Sequence, residues 1–141
     1  MPANITLRPR QLALAIGATA AGGFVGTLLR AWLTGLEHLP NPNSGATWPQ
    51  EIPWVLLVIN FVGVYLATRL LRGPLRHRDP NDVVRILVIT GFFGGLTSYS
   101  GLFVDLAAIW HVCVGGCFAV LIGAILSGVL AGWLGLQWRR R

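Results

Sequence analysis

Charge is scarce in this chain. Only 11% of its 141 residues are Asp, Glu, Lys or Arg, and lysine is absent altogether. A soluble domain carries roughly 25% charged residues, so this composition argues against one. Acidic residues number five, and none lies deep within an apolar stretch; Asp105 stands near the end of one. That argues against a small proton-coupled exporter of unrelated fold, which needs a membrane-embedded carboxylate to exchange protons for its cargo. The three histidines, His38, His77 and His111, are scattered over connections, and no nucleotide-binding motif is present. No hydrolytic or group-transfer constellation can be assembled, so an enzyme is not expected. The two cysteines, Cys113 and Cys117, are four apart on one helix face, and His111, off that face, is the sole candidate for a third ligand. They read as small apolar side chains rather than a metal or redox pair. No repeat of a 20–50-residue period is visible.

What the chain has instead is hydrophobicity: 54% of residues are apolar, and the mean hydropathy is +0.64. Apolar stretches run over 11–36, 54–71, 83–109 and 112–136. Each is long enough to cross the hydrocarbon core, with tilt allowed. The expected fold is therefore an all-α membrane protein of four transmembrane helices, one membrane domain over 1–141 with no soluble domain. The first stretch is too long and too rich in glycine for a signal-peptide core. Trp32, Trp48, Trp54, Trp110, Trp133 and Trp138 lie near span ends, as an interfacial belt does. Gly22 with Gly26, Gly91 with Gly95, and Gly128 with Gly132 have the spacing that lets helices approach closely in lipid. The third-to-fourth connection is very short, which predicts a tight antiparallel hairpin.

The net charge of +6 would suggest nucleic acid in a soluble protein. Here the arginines flank spans, and nucleic acid is not expected. Arg8, Arg10, Arg69, Arg72, Arg76, Arg78, Arg85, Arg139, Arg140 and Arg141 all fall on one side. The opposite connections hold Glu37, Glu51 and Asp105 and no basic residue. The positive-inside rule then places both termini in the cytoplasm and the Pro- and Asn-rich connection 37–53 outside.

Polar residues within spans default to functional hypotheses. Arg30 closes "GGFVGTLLR" and is either a snorkelling interfacial side chain or a functional cation. Asn60, in "LLVINFVGVY", is either an interhelical clamp or a donor to a desolvated anion. The stretch "TGFFGGLTSYSGLF", 90–103, puts glycines and hydroxyls at the middle of the third span. Such residues hold a helix poorly. A break there frees carbonyls for a cation and amides for an anion, and is tolerated only inside protein or along a cavity. The plainer alternative is a glycine kink. The hydroxyls beyond the glycines favour a site.

Three motifs together carry a resemblance. "GGFVGTLLR" is similar to the GGxxGAxxR signature of the Fluc (CrcB) fluoride channels. "NFVGVY" resembles their NxxGxF, and "GFFGGLTSYS" their GFxGGLTTFS, in the same order and spacing over almost the whole chain. The resemblance implies passive fluoride export across the cell membrane by an antiparallel dimer with two pathways and a central structural sodium ion. By motif match the sodium would take backbone carbonyls of Gly94 and Thr97. Asn60, Tyr99, Ser100 and Leu102 would fall along the fluoride pathway, and Arg30 at the motif arginine. A bare fluoride needs amide, hydroxyl and ring-edge donors in place of water; aromatic edges carry partial positive charge.

The chain also departs from that pattern. Where the family reads TTFSTF, this chain reads Thr97-Ser98-Tyr99-Ser100-Gly101-Leu102, so one phenylalanine is a tyrosine and the other a leucine. Val55-Leu56-Leu57 replaces the family's GTL, and Ala124 stands near a usual pore serine with Ser127 one turn away. A chain that inserts both ways should carry almost no charge bias, and this one is strongly biased. The expected partner is therefore a related, paralogous subunit inserted in the opposite sense, besides membrane lipid. The alternative to a conducting subunit is a non-conducting or half-degenerate structural one.

Overall fold

The computed structural model describes residues 9–35, 52–76, 82–110 and 113–137. Arg8, Arg78 and 139–141, the connection at 37–51, His111 and Trp138 lie outside them. Four helical segments are long and apolar enough to cross a membrane, and the third is interrupted, as expected. The first, α1, is Pro9–Thr34. Proline suits a first helical position, where its missing N–H costs nothing. The helix ends at Gly35, whose N–H bonds Ala31 O at 2.9 Å. Helix α2, Trp54–Arg72, follows Pro53 and ends where Gly73 N–H reaches Arg69 O at 2.8 Å. Pro74 follows and cannot continue the helix.

Helix α3 covers 83–96. Asp82 caps it: its Oδ1 accepts Val84 N–H at 2.8 Å and Arg85 N–H at 3.3 Å. Val83–Arg85 and Gly94–Leu96 are α-helical, but Ile86–Phe93 between them is wound with i→i+5 (π) bonds. Thr97 and Ser98 then run extended, at φ −90°, ψ 115° and φ −144°, ψ 120°. Helix α4, Tyr99–Ile109, resumes the span, and α5 is Val114–Gln137. Cys113 caps α5, its Sγ accepting Gly116 N–H at 3.2 Å, whereas Cys117 is buried in the core. The pair thus splits into a capping sulfur and a buried thiol whose S–H reaches Leu106 O at 3.6 Å.

Two glycine seams decide which helices pair. A Cβ on Gly22 or Gly26 of α1 would run into the α3 carbonyls of Leu87 or Phe92. A Cβ on Gly95 of α3 would strike Gly23 O of α1. Small residues let these two backbones touch, and α1 packs chiefly along α3. Gly135 plays the same part against Thr68 and Tyr65, and α5 packs chiefly along α2. The last two spans do pair antiparallel, Trp110 against Phe118, Cys117 against Leu106 O and Tyr99 against Ala124 O, but their backbones are not as close as a tight hairpin's. Helix α4 meets α5 through side chains, Gly128 lying under Tyr99, while Gly132 and Gly135 of α5 face α2. Gly26→Ala is expected to lower the thermal midpoint in detergent, at an overpacking cost of about 1–3 kcal/mol. Gly17→Ala, mid-helix with open space around it, should hold the midpoint or raise it. Equal midpoints for both variants would sink this account of the seam.

Two apolar clusters lie on either side of the break. Leu56, Leu102, Leu106, Cys117, Val120 and Ala124 join α2, α4 and α5. Ile59, Phe93 and Leu96 join α2 and α3, with Leu29 and Leu33 of α1 against them. Only α2 enters both, and Asn60 stands beside Ile59 where one cluster gives way to the other. Outside them the helices are apolar all round: Phe24, Val104 and Val129 are 66%, 69% and 67% exposed. Such surfaces belong against lipid or another membrane helix.

Candidate functional site at the break in the third span

The break is held by hydrogen bonds, not merely permitted by glycine. Thr97 N–H and Thr97 Oγ1–H both donate to Phe93 O, at 2.9 and 2.7 Å. One carbonyl thus takes two donors at the last turn of α3. The next amide, Ser98 N–H, would close a turn onto Gly94 O in a continuing helix. It turns to Asn60 Oδ1 instead, at 3.0 Å. Asn60 Nδ2 reaches Ser98 O at 3.5 Å, so one side chain holds both backbone groups of Ser98. Asn60 is 5% exposed and is the sole buried polar side chain among the described residues. In lipid an unpaired backbone group costs several kcal/mol, which is why an amide must stand opposite an extended residue here.

Opposite helix ends meet at this point. The carbonyl end of α3 carries partial negative charge and the amide end of α4 partial positive charge. Gly94 is exposed, with nothing near its Cβ position, and its carbonyl has lost the usual partner at Ser98. Ser98 precedes α4 but makes no side-chain cap; its Oγ bonds Ser100 Oγ at 2.6 Å. The first turn of α4 is therefore an anion-attracting end left uncapped by its own side chain.

Arg30 reaches this end of α4 from α1. Its Nη1 lies 3.9 Å from where a Cβ on Gly101 would stand, and that nitrogen is buried without a hydrogen-bond partner. A guanidinium at a helix N-terminus is placed against the dipole. Two positive features lie together here, with one donor unspent, and both attract negative charge.

The remaining residues divide. Ser100 and Tyr99 are exposed on the subunit, Tyr99 by 38%. The Tyr99 hydroxyl donates to Ala124 O at 3.4 Å and lies 2.6 Å from a Cβ position on Gly128, so the ring leans on α5. Leu102 is 0% exposed and sits in the cluster behind the break. The structure thus brings Asn60, Gly94, Thr97 and Ser98 together, sets Arg30 and Ser100 by the first turn of α4, and leaves Leu102 in the core. Ser127 bonds Ala124 O at 2.9 Å. Gly63, which admits the Thr97 methyl, is a residue that the sequence pattern alone does not single out. Gly63 lies in the "NFVG" stretch, but its partner is far along the chain.

A family model described as CrcB-like protein, Camphor Resistance (CrcB), matches residues 17–136, which include every residue of this site. The chain belongs to this family. Its relatives include the fluoride-specific ion channel FluC of Mesorhizobium japonicum, 34% identical over 71% of this chain and 84% of that protein. The FluC of Stutzerimonas stutzeri is 31% identical over 87% of this chain and 94% of its own. That of Pseudomonas putida is 33% identical over 89% and 96%. These CrcB relatives are named as ion channels, not as enzymes. With its four spans, this CrcB-family chain is a multi-pass membrane protein.

Proposed function

We propose that this chain is a subunit of a fluoride-specific ion channel that passively exports fluoride across the cell membrane and so lowers cytoplasmic fluoride. The observation that carries the reading is the unpartnered Arg30 Nη1 beside the uncapped first turn of α4. Cation and amide end together attract an anion. Asn60 and the Ser98–Ser100 hydroxyl pair supply neutral donors that can replace its water. Asn60 spends Oδ1 and one Nδ2 hydrogen on Ser98, leaving the second Nδ2 hydrogen for the ion. Tyr99, exposed at the break, would bring its ring edge to the same pathway, with Leu102 packed in the core behind it. Passive transport is supported by the absence of Asp and Glu from α1, α2 and α5.

A structural sodium ion would be held at the break by the carbonyls of Gly94 and Thr97. The fit is supported by the diversion of Ser98 N–H from Gly94 and by the open space at Gly94. Sodium would supply positive charge that ties the carbonyl end of α3 in place. Gly94, Tyr99 and Ser100 are exposed on one subunit, which supports a second subunit covering them. The arginine bias supports cytoplasmic termini for this chain and a paralogous partner in the antiparallel sense. A second reading, a non-conducting or half-degenerate subunit, is favoured by the burial of Leu102 and the tethering of the Tyr99 hydroxyl to α5.

Fluoride efflux from liposomes tests both. The expected outcome is efflux without ATP or a proton gradient when this chain is reconstituted with its oppositely inserted partner, and little from this chain alone. Efflux from this chain alone would remove the need for a paralogous partner. No efflux from either preparation, with insertion verified, would overturn the channel reading.

A further inference from the structure

We propose that Gly63 is a positioning residue for the break: it is the socket that takes the Thr97 methyl and so fixes the 97–98 backbone. A Cβ on Gly63 would collide with Thr97 Cγ2. Its next neighbours, Leu96 Cδ2 and Thr97 Cβ, both stand off at 3.8 Å. The methyl is thus the sole obstacle, and it cannot swing aside cheaply. Thr97 is β-branched, and its rotamer is pinned by the 2.7 Å bond from Oγ1 to Phe93 O. Moving the methyl breaks that bond or shifts the backbone whose next amide is held by Asn60. Nothing else in α2 calls for a glycine here: Gly63 lies mid-helix, where glycine is less favourable than alanine.

The two α2 residues, Asn60 and Gly63, are three apart and so share a helix face. One grips Ser98 by both backbone groups and the other admits Thr97. Successive residues of the break are thereby set by successive turns of one helix. The consequence for transport rests on the channel reading above, because it makes the direction of the Thr97 carbonyl, and of the amides that follow, part of the ion-binding element.

The test is a double-mutant cycle on the full chain with its channel partner: Gly63→Ala made in the wild type and in a Thr97→Ser background. Serine keeps the hydroxyl for Phe93 O and removes the methyl. Two readouts are taken, fluoride efflux and deuterium exchange at the peptide containing Ser98. In the wild-type background Gly63→Ala should cut efflux and speed Ser98 exchange by a factor of about ten each. In the Thr97→Ser background the same substitution should change either by less than about threefold. An equal effect in both backgrounds, or none in the wild type, overturns the proposal. If Gly63→Ala does not fold, recovery of folding with Thr97→Ser supports it and failure to recover overturns it. If the wild type carries no fluoride, the channel reading falls, and exchange alone judges the role of Gly63.

Discussion

Asn60→Leu is expected to release the break and to abolish most fluoride efflux. Leucine nearly matches asparagine in size, so the space between the two apolar clusters stays filled. What goes is the acceptor for Ser98 N–H and the donor to Ser98 O. A buried polar group left without a partner costs about 1–3 kcal/mol, and more where no water can reach it. The extended conformation at 97–98 then loses its support. The amide can recover a partner by rejoining the helix onto Gly94 O, which would straighten the span and take away the freed carbonyl. Efflux should fall by about a hundredfold, the sum of a lost donor and a lost geometry. Deuterium exchange at Ser98 should change with it, while overall helix content stays near that of the wild type. Wild-type exchange at Ser98 in Asn60→Leu would refute the clamp, whatever happened to efflux.

The clamp on Ser98 is not itself legible in the sequence, although the spans and the interruption are. The four spans were legible because twenty apolar residues in a row have few other uses. The interruption was legible too, since glycines and hydroxyls in mid-span hold a helix poorly. Its cause was not. Gly91 and Gly95, the obvious breakers, stay helical and serve as contact points for Gly22 and Gly23 of α1. The chain opens instead at Thr97 and Ser98, through one hydroxyl turned back to Phe93 and one amide from another helix. The partner of that amide is 38 residues away, a separation no local pattern carries. The i→i+5 winding over Ile86–Phe93 was equally hidden: it lies against the glycines of α1, which no local pattern reports. Asn60 could be read from sequence as either clamp or anion donor. Its three hydrogen-bonding sites toward Ser98 and beyond make the two compatible.

Arg30→Leu is expected to separate electrostatic from structural use of the remaining polar residue. A structural arginine would be paired, and removing it would destabilise the fold. This one has a buried, unpartnered Nη1 set against the positive end of α4, so it holds its place at a cost. The leucine variant should therefore unfold at the same temperature as the wild type or higher. Fluoride efflux should meanwhile fall by roughly 10–1,000-fold, the range by which a charged entrance raises the local concentration and arrival rate of an oppositely charged ion. Arg30→Lys keeps the charge but not the planar fork, and should retain more efflux than Arg30→Leu. The gap between lysine and leucine should narrow as salt is raised, since the attraction is screened over about 10 Å at 0.1 M. A lower unfolding temperature for Arg30→Leu, with lysine no better and no salt dependence, would mean that the guanidinium is a packing element. The unspent donor would then lose its meaning, and only the helix dipole would draw an anion to the start of α4.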